Sequence, residues 1–104
     1  MKLRNYLEMK LEGEIIWPDL NFFGSNNKAL RGTLDIEKSI LKNVSLKKTV
    51  EYYTHLDIEV DFEGRTYSTA FLWDDQLLLS SLYDFLKENI GKSMRDIGSL
   101  EFPS

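Results

Sequence analysis

An α+β fold, a twisted antiparallel sheet of four to five strands with one C-terminal helix packed on one face, follows from three features of the chain. Between Val50 and Phe62 the positions Val50, Tyr52, Leu56, Ile58, Val60 and Phe62 are apolar, whereas Glu51, His55, Asp57, Glu59 and Asp61 are charged or titratable. This is the period-2 pattern of a strand with one dry and one wet face. A two-residue turn at Glu63-Gly64 then pairs Phe62 with Arg65, Val60 with Tyr67, Ile58 with Thr69 and Leu56 with Phe71, which brings Tyr67 and Phe71 to the dry face. The wet face receives Asp61 with Thr66, Glu59 with Ser68 and Asp57 with Ala70. Beyond Trp73 the period changes. Leu78, Leu79, Leu82, Phe85, Leu86 and Ile90 recur at helical spacing, so a helix is predicted over 75–90, started by Asp74 or Asp75 and closed by Gly91.

Length and composition bound the rest. A chain of 104 residues is expected to form one domain, spanning 1–104, with a single core. Hydrophobic residues at 42% and charged residues at 29% exclude the low-hydropathy balance of a disordered chain. With no cysteine, a disulfide framework, a thiolate metal site and a cysteine nucleophile are all excluded. The alternation of charged and apolar residues from Met1 to Leu11 does not make the apolar core of a signal peptide, and no run approaches the ~20 apolar residues of a membrane span. A cytoplasmic protein without a membrane segment is expected.

Taken in order, Leu3, Leu7, Met9 and Leu11 share odd positions with Ile15 and Trp17, while Lys2, Arg4, Glu8, Lys10, Glu12 and Glu14 take even ones. This predicts an N-terminal strand, with Gly13 either inside one long strand or in a hairpin turn. Pro18 ends it, and a loop rich in Asn, Gly and Ser follows. That loop carries Trp17, Leu20, Phe22 and Phe23, large apolar groups that either fold back on the core or form a patch that docks a partner. A further strand is predicted from Ala29 to Glu37, continuing past a bulge near Lys38-Ser39, with Asn43 to Lys48 as a turn into the next strand. A strand running from Thr49 to Phe62 would be about 45 Å long, too long for a domain of this size, so it should bend near Tyr53-Thr54. After the long helix, Ser93 to Asp96 resembles a capping box opening one more short turn closed by Gly98, and Leu100-Glu101-Phe102 adds a short strand or tucks onto the core.

Charge is unevenly distributed. Lys28 to Lys48 holds six basic residues against Asp35 and Glu37, and Thr49 to Gly64 holds five acids with no Lys or Arg. Successive segments of opposite sign are expected to lie side by side in a sheet. Four constellations could carry chemistry. Gly91-Lys92-Ser93 lacks both the upstream glycine and the preceding strand of a phosphate-binding loop, so it is set aside. His55, Asp57, Glu59 and Asp61 on one strand face could serve a metal-dependent hydrolase or supply an acid and a base, although any solvated strand presents such a stripe. A single histidine leaves no pair for zinc. Lys38, Lys42, Lys47 and Lys48, with Tyr52 or Tyr53 as stacking rings, could bind nucleic acid, against the acidic net charge of -4. The fourth constellation is protein recognition through Trp17, Phe22 and Phe23 or through a free sheet edge. It leads by elimination. The expected function is therefore a non-enzymatic interaction module, an adaptor, regulator or inhibitor with no cofactor and no metal, binding another protein or a second copy of itself.

Overall fold

The computed structural model of the chain describes residues 1–10, 35–48, 51 and 53–103. Their order is α1 (Leu3–Lys10), a 3-10 turn (Ile36–Lys38), β1 (Ile40–Lys48), β2 (Tyr53–Phe62), β3 (Arg65–Phe71), α2 (Gln76–Lys87) and α3 (Met94–Gly98). The class is α+β, but among the described residues the sheet has three strands, not four to five, and three helices accompany it, one of them N-terminal. The expected strand over Leu11 to Trp17, the loop from Trp17 to Asn27 with its aromatic residues, the strand from Ala29 to Leu34, and Thr49, Val50 and Tyr52 lie outside the described residues.

The sheet is an antiparallel meander in the order β1-β2-β3. The β2–β3 hairpin has the expected register throughout, from Phe62 opposite Arg65 to Leu56 opposite Phe71. Its turn has positive φ at both central residues, 49° at Glu63 and 79° at Gly64. That is the twist a two-residue hairpin needs, obtained from glycine at one position and against steric preference at the other. Leu56, Ile58 and Val60 are each 0% exposed. They are joined on the dry face by Tyr67 and Phe71 from β3, and by Leu41 and Val44 from β1.

β1 departs from expectation at both ends. Asp35 accepts from the Lys38 amide and starts a 3-10 turn, so Ile36 and Glu37 are not strand. Ser39, fully buried, donates its hydroxyl to the Ile36 carbonyl at 2.6 Å and closes that turn. Asn43 to Lys48 is strand rather than turn, paired with β2 as far as Lys48. The register breaks between Leu41 and Asn43, which makes Lys42 the extra residue of a bulge, and again between Lys47 and Lys48 opposite the start of β2.

All three helices contribute side chains to the same core. On α2 the buried stripe is Leu78, Leu79, Leu82 and Leu86, each contributing about 1.5–3 kcal/mol on burial. Asp75 caps it, its Oδ1 accepting from the Leu78 amide at 3.0 Å. Two details of the expected helix change. It ends at Lys87, so Ile90 lies past it and is 43% exposed instead of completing the stripe. Gly91, at φ 95°, is not the helix-closing residue but turns the chain onto β1, where its amide donates to the Leu41 carbonyl at 2.8 Å. The end of α2 is satisfied by the Asn89 side chain, whose Nδ2 donates to the Phe85 carbonyl at 2.7 Å while its Oδ1 accepts from Lys92 Nζ. Leu41 and Met94 amides donate to the Lys92 and Ser39 carbonyls, so residues 91–94 lie along the outer edge of β1 at its start.

α1 replaces the expected N-terminal strand. Leu3 and Leu7 are buried, Tyr6 stacks 4.8 Å from Phe102, and Met9, which a strand would have buried beside Leu7, is 53% exposed. The helix is tied to the end of the described chain by an antiparallel bridge between Lys2 and Glu101, in which Leu3 donates to the Leu100 carbonyl and Phe102 to that of Met1. Ser93 caps α3 by accepting from the Asp96 amide at 3.1 Å, as its sequence implies.

Two substitutions check this packing. Ile58→Asp, which places a carboxylate on the dry face, should cost more than about 4 kcal/mol and unfold the chain, whereas Glu59→Lys should stay within about 0.5 kcal/mol. Comparable melting temperatures would contradict the assignment of faces. At the turn, Glu63→Asn should raise stability by roughly 1 kcal/mol, because asparagine tolerates the left-handed conformation better than glutamate. Denaturant titration of the two chains would read the difference.

Candidate functional site

Burial of Leu56, Ile58 and Val60 fixes His55, Asp57, Glu59 and Asp61 on the opposite face of β2, half-buried between neighbouring strands. The register places Asn43, Ser45 and Lys47 of β1 opposite Glu59, Asp57 and His55, and Ala70, Ser68 and Thr66 of β3 opposite Asp57, Glu59 and Asp61. Bulging at Lys42 gives its side chain reach across the sheet. Its ammonium lies 3.8 Å from Asp61 Oδ1 and donates to Thr66 Oγ1 at 3.1 Å, while the Thr66 hydroxyl donates to the same Asp61 oxygen at 2.7 Å. One carboxylate thereby links all three strands.

The remaining acids on this face are engaged one by one. Asn43 Nδ2 donates to Glu59 Oε1 at 3.4 Å, Lys47 Nζ is 4.0 Å from Asp57 Oδ2, and His55 Nε2 is 3.2 Å from Asp57 Oδ1. Successive members of the stripe are about 6.6 Å apart along the strand; His55 and Asp57 turn towards one another, Asp57 also meets Lys47, and Glu59 and Asp61 turn to lateral partners on β1 and β3. No group of three or more His, Asp or Glu side chains that could hold a metal ion occurs among the described residues. The stripe and the basic segment thus meet as cross-strand pairs, the arrangement that their opposite charges favour.

The basic residues do not gather into one surface. Lys38 sits in the 3-10 turn and pairs with Asp35 at 3.9 Å, Lys42 and Lys47 are interleaved with acids, and Lys48 lies at the far end of β1. The strand between them is about 30 Å long. Tyr52 and the Tyr53 side chain lie outside the described residues, as do Trp17, Phe22 and Phe23. Away from the sheet, the Met1 ammonium donating at 2.7 Å holds the Glu101 carboxyl below its usual range. A hydrogen bond to the Tyr83 hydroxyl raises Lys87 above its own.

A different surface emerges where β3 meets α2. Leu72 is 69% exposed and Leu77 is 82% exposed, with Trp73 between them, half-buried and stacked 5.7 Å from Phe71. The corner is held by hydrogen bonds. Asp75 caps α2, and Gln76 Nε2 donates to the Trp73 carbonyl at 3.4 Å and the Asp74 carbonyl at 3.5 Å. Both leucines were visible in the sequence as residues out of phase. Leu72 follows the inward-facing Phe71, and Leu77 precedes the stripe that starts at Leu78.

No helix among the described residues is long and apolar enough to cross a membrane. No protein-family model, curated protein or solved structure matches the chain.

Because no three donors of the β2 stripe converge, micromolar Mn²⁺, Zn²⁺ or Mg²⁺ should leave the melting temperature unchanged, for the parent chain and for His55→Ala alike. A rise in the parent that the variant loses would establish an ion bound at His55.

Proposed function

We propose that the domain is a non-enzymatic protein-interaction module that binds another protein through the apolar corner at Leu72, Trp73 and Leu77. The observation that carries this reading is the exposure of two leucines at a corner where Asp75 caps α2 and Gln76 Nε2 lies over the Trp73 and Asp74 carbonyls. Single exposed leucines are ordinary on a protein surface. Two within six residues, flanking a half-buried indole, make a compact anchor of the kind found in interface cores.

The charged outer face supports the reading indirectly. Its carboxylates and ammonium groups engage one another rather than a shared point, so neither hydrolysis at His55, Asp57, Glu59 and Asp61 nor nucleic-acid binding at Lys38, Lys42, Lys47 and Lys48 draws support from the geometry. The loop residues Trp17, Phe22 and Phe23 remain part of the proposal as a second apolar contact, on the strength of their sequence alone. A cytoplasmic location fits a chain with no cysteine to oxidise.

Affinity capture from cell extract with the full chain tests the reading. Leu72→Ser with Leu77→Ser should leave the melting temperature within about 2 °C of the parent, since neither side chain is buried, and should abolish capture of the bound protein. Phe22→Ser with Phe23→Ser, run in parallel, separates the loop's contribution. Undiminished capture by the Leu72 and Leu77 variant would remove the corner from the interface.

A further inference from the structure

We infer that the outward ridge of α2, formed by Leu77, Ser81, Asp84 and Glu88, continues the Leu72 to Leu77 corner into a docking surface for a positively charged segment of another protein. The inference rests on the binding role proposed for that corner and adds the chemistry of what it binds.

Helical geometry sets the ridge. Steps of four, three and four residues return to nearly the same angle on an α-helix, so these positions form one line, opposite the buried stripe of Leu78, Leu79, Leu82 and Leu86. All four are exposed. Glu88 is the C-terminal cap residue and keeps helical backbone angles, so the line runs about 16 Å from Leu77 to Glu88. Its apolar end is the corner, and its acidic end is the last turn of the helix.

The fold does not account for these two acids. Asp84 and Glu88 are four apart, where like charges on a helix repel. They also sit at the C-terminal end, where the helix dipole favours cations. Among the described residues neither carboxylate has an ion pair or a side-chain hydrogen bond. Lys87, the cation nearest to them in sequence, donates to the Tyr83 hydroxyl at 2.8 Å and lies over that ring, which draws its ammonium to the flank of the ridge. Other acids have structural partners. Asp35 and Asp75 cap helical turns, Glu37 meets Arg95, and Asp57, Glu59 and Asp61 meet Lys47, Asn43 and Lys42. Asp74 lies at the N-terminal end of α2, where negative charge is favoured.

What selects a positively charged occupant is this uncompensated charge in line with exposed leucines. A neutral apolar partner would cover Leu72 and Leu77 but leave the repulsion between Asp84 and Glu88 as it is. An acidic partner, or a second copy of a chain whose net charge is -4, adds like charge to the ridge. Lysine or arginine side chains placed roughly 10–16 Å from an apolar anchor would meet both carboxylates and the negative end of the helix together.

The test is an amide chemical-shift titration of the full chain with a synthetic leucine–lysine peptide, run beside the same peptide carrying glutamate in place of lysine. The lysine peptide should shift the amides of Leu72 and of Leu77 to Glu88, bind at least about tenfold more tightly than the glutamate peptide, and weaken as salt is raised. Asp84→Asn with Glu88→Gln should weaken binding at least about tenfold while melting at or above the parent's temperature, because the carboxylates do not stabilise the helix. A clear drop in that variant's melting temperature would give the acids a structural role and overturn the inference. Equal binding of the two peptides, no binding of the lysine peptide at low salt, or shifts confined to another face would do the same. So would ridge amides that shift with the chain's own concentration, which would make a second copy the occupant. The corner can be judged separately in capture from cell extract. Loss of the bound protein by Leu72→Ser with Leu77→Ser, but not by Asp84→Asn with Glu88→Gln, would leave the corner as a binding surface and overturn only its acidic extension.

Discussion

The burial of Leu56, Ile58 and Val60 is the constraint from which the rest of the described structure follows. β2 is hydrogen-bonded to a neighbour on each side, so its three core side chains can leave water only by being covered on one face. α1, α2 and α3 all send side chains to that face, from Leu3 and Leu7 through Leu79, Leu82 and Leu86 to Met94 and Ile97. Phe102 joins α1 to α2 by packing 4.8 Å from Tyr6 and 5.1 Å from Phe85. None of these elements could bury its own apolar stripe alone.

The charges on the other face are a consequence of this arrangement rather than its cause. Half-exposed pairs such as Lys42 with Asp61 contribute about 0–1 kcal/mol each, far less than the side chains beneath them. Their value lies in specificity. A slip of β2 by one residue would carry Asp57, Glu59 and Asp61 to the dry face and break every lateral pairing at once. The Lys42 bulge matters here, because the extra residue lets one ammonium reach both Asp61 and Thr66 across the central strand.

The hairpin was legible because its pattern admits one period. Leu56, Ile58, Val60 and Phe62 in strict alternation and a Glu-Gly break have no helical interpretation, and the register read from them holds. α1 was not legible for the same kind of reason. Leu3 and Leu7 are four apart, a spacing common to a strand of period 2 and a helix of period 3.6, and the decision rests on Tyr6 and Met9. Tyr6, three after Leu3, packs inwards, and Met9 points out; in the sequence both are apolar and indistinguishable. The sequence pattern of β1 is obscured in part because its bulge shifts the phase between Leu41 and Val44, so that the apolar residues lose alternation while the backbone remains strand. With β1 went the lateral partners of the acidic stripe. The opposite charges of the two segments foretold their adjacency, but which lysine meets which carboxylate depends on register, and register depends on the bulge.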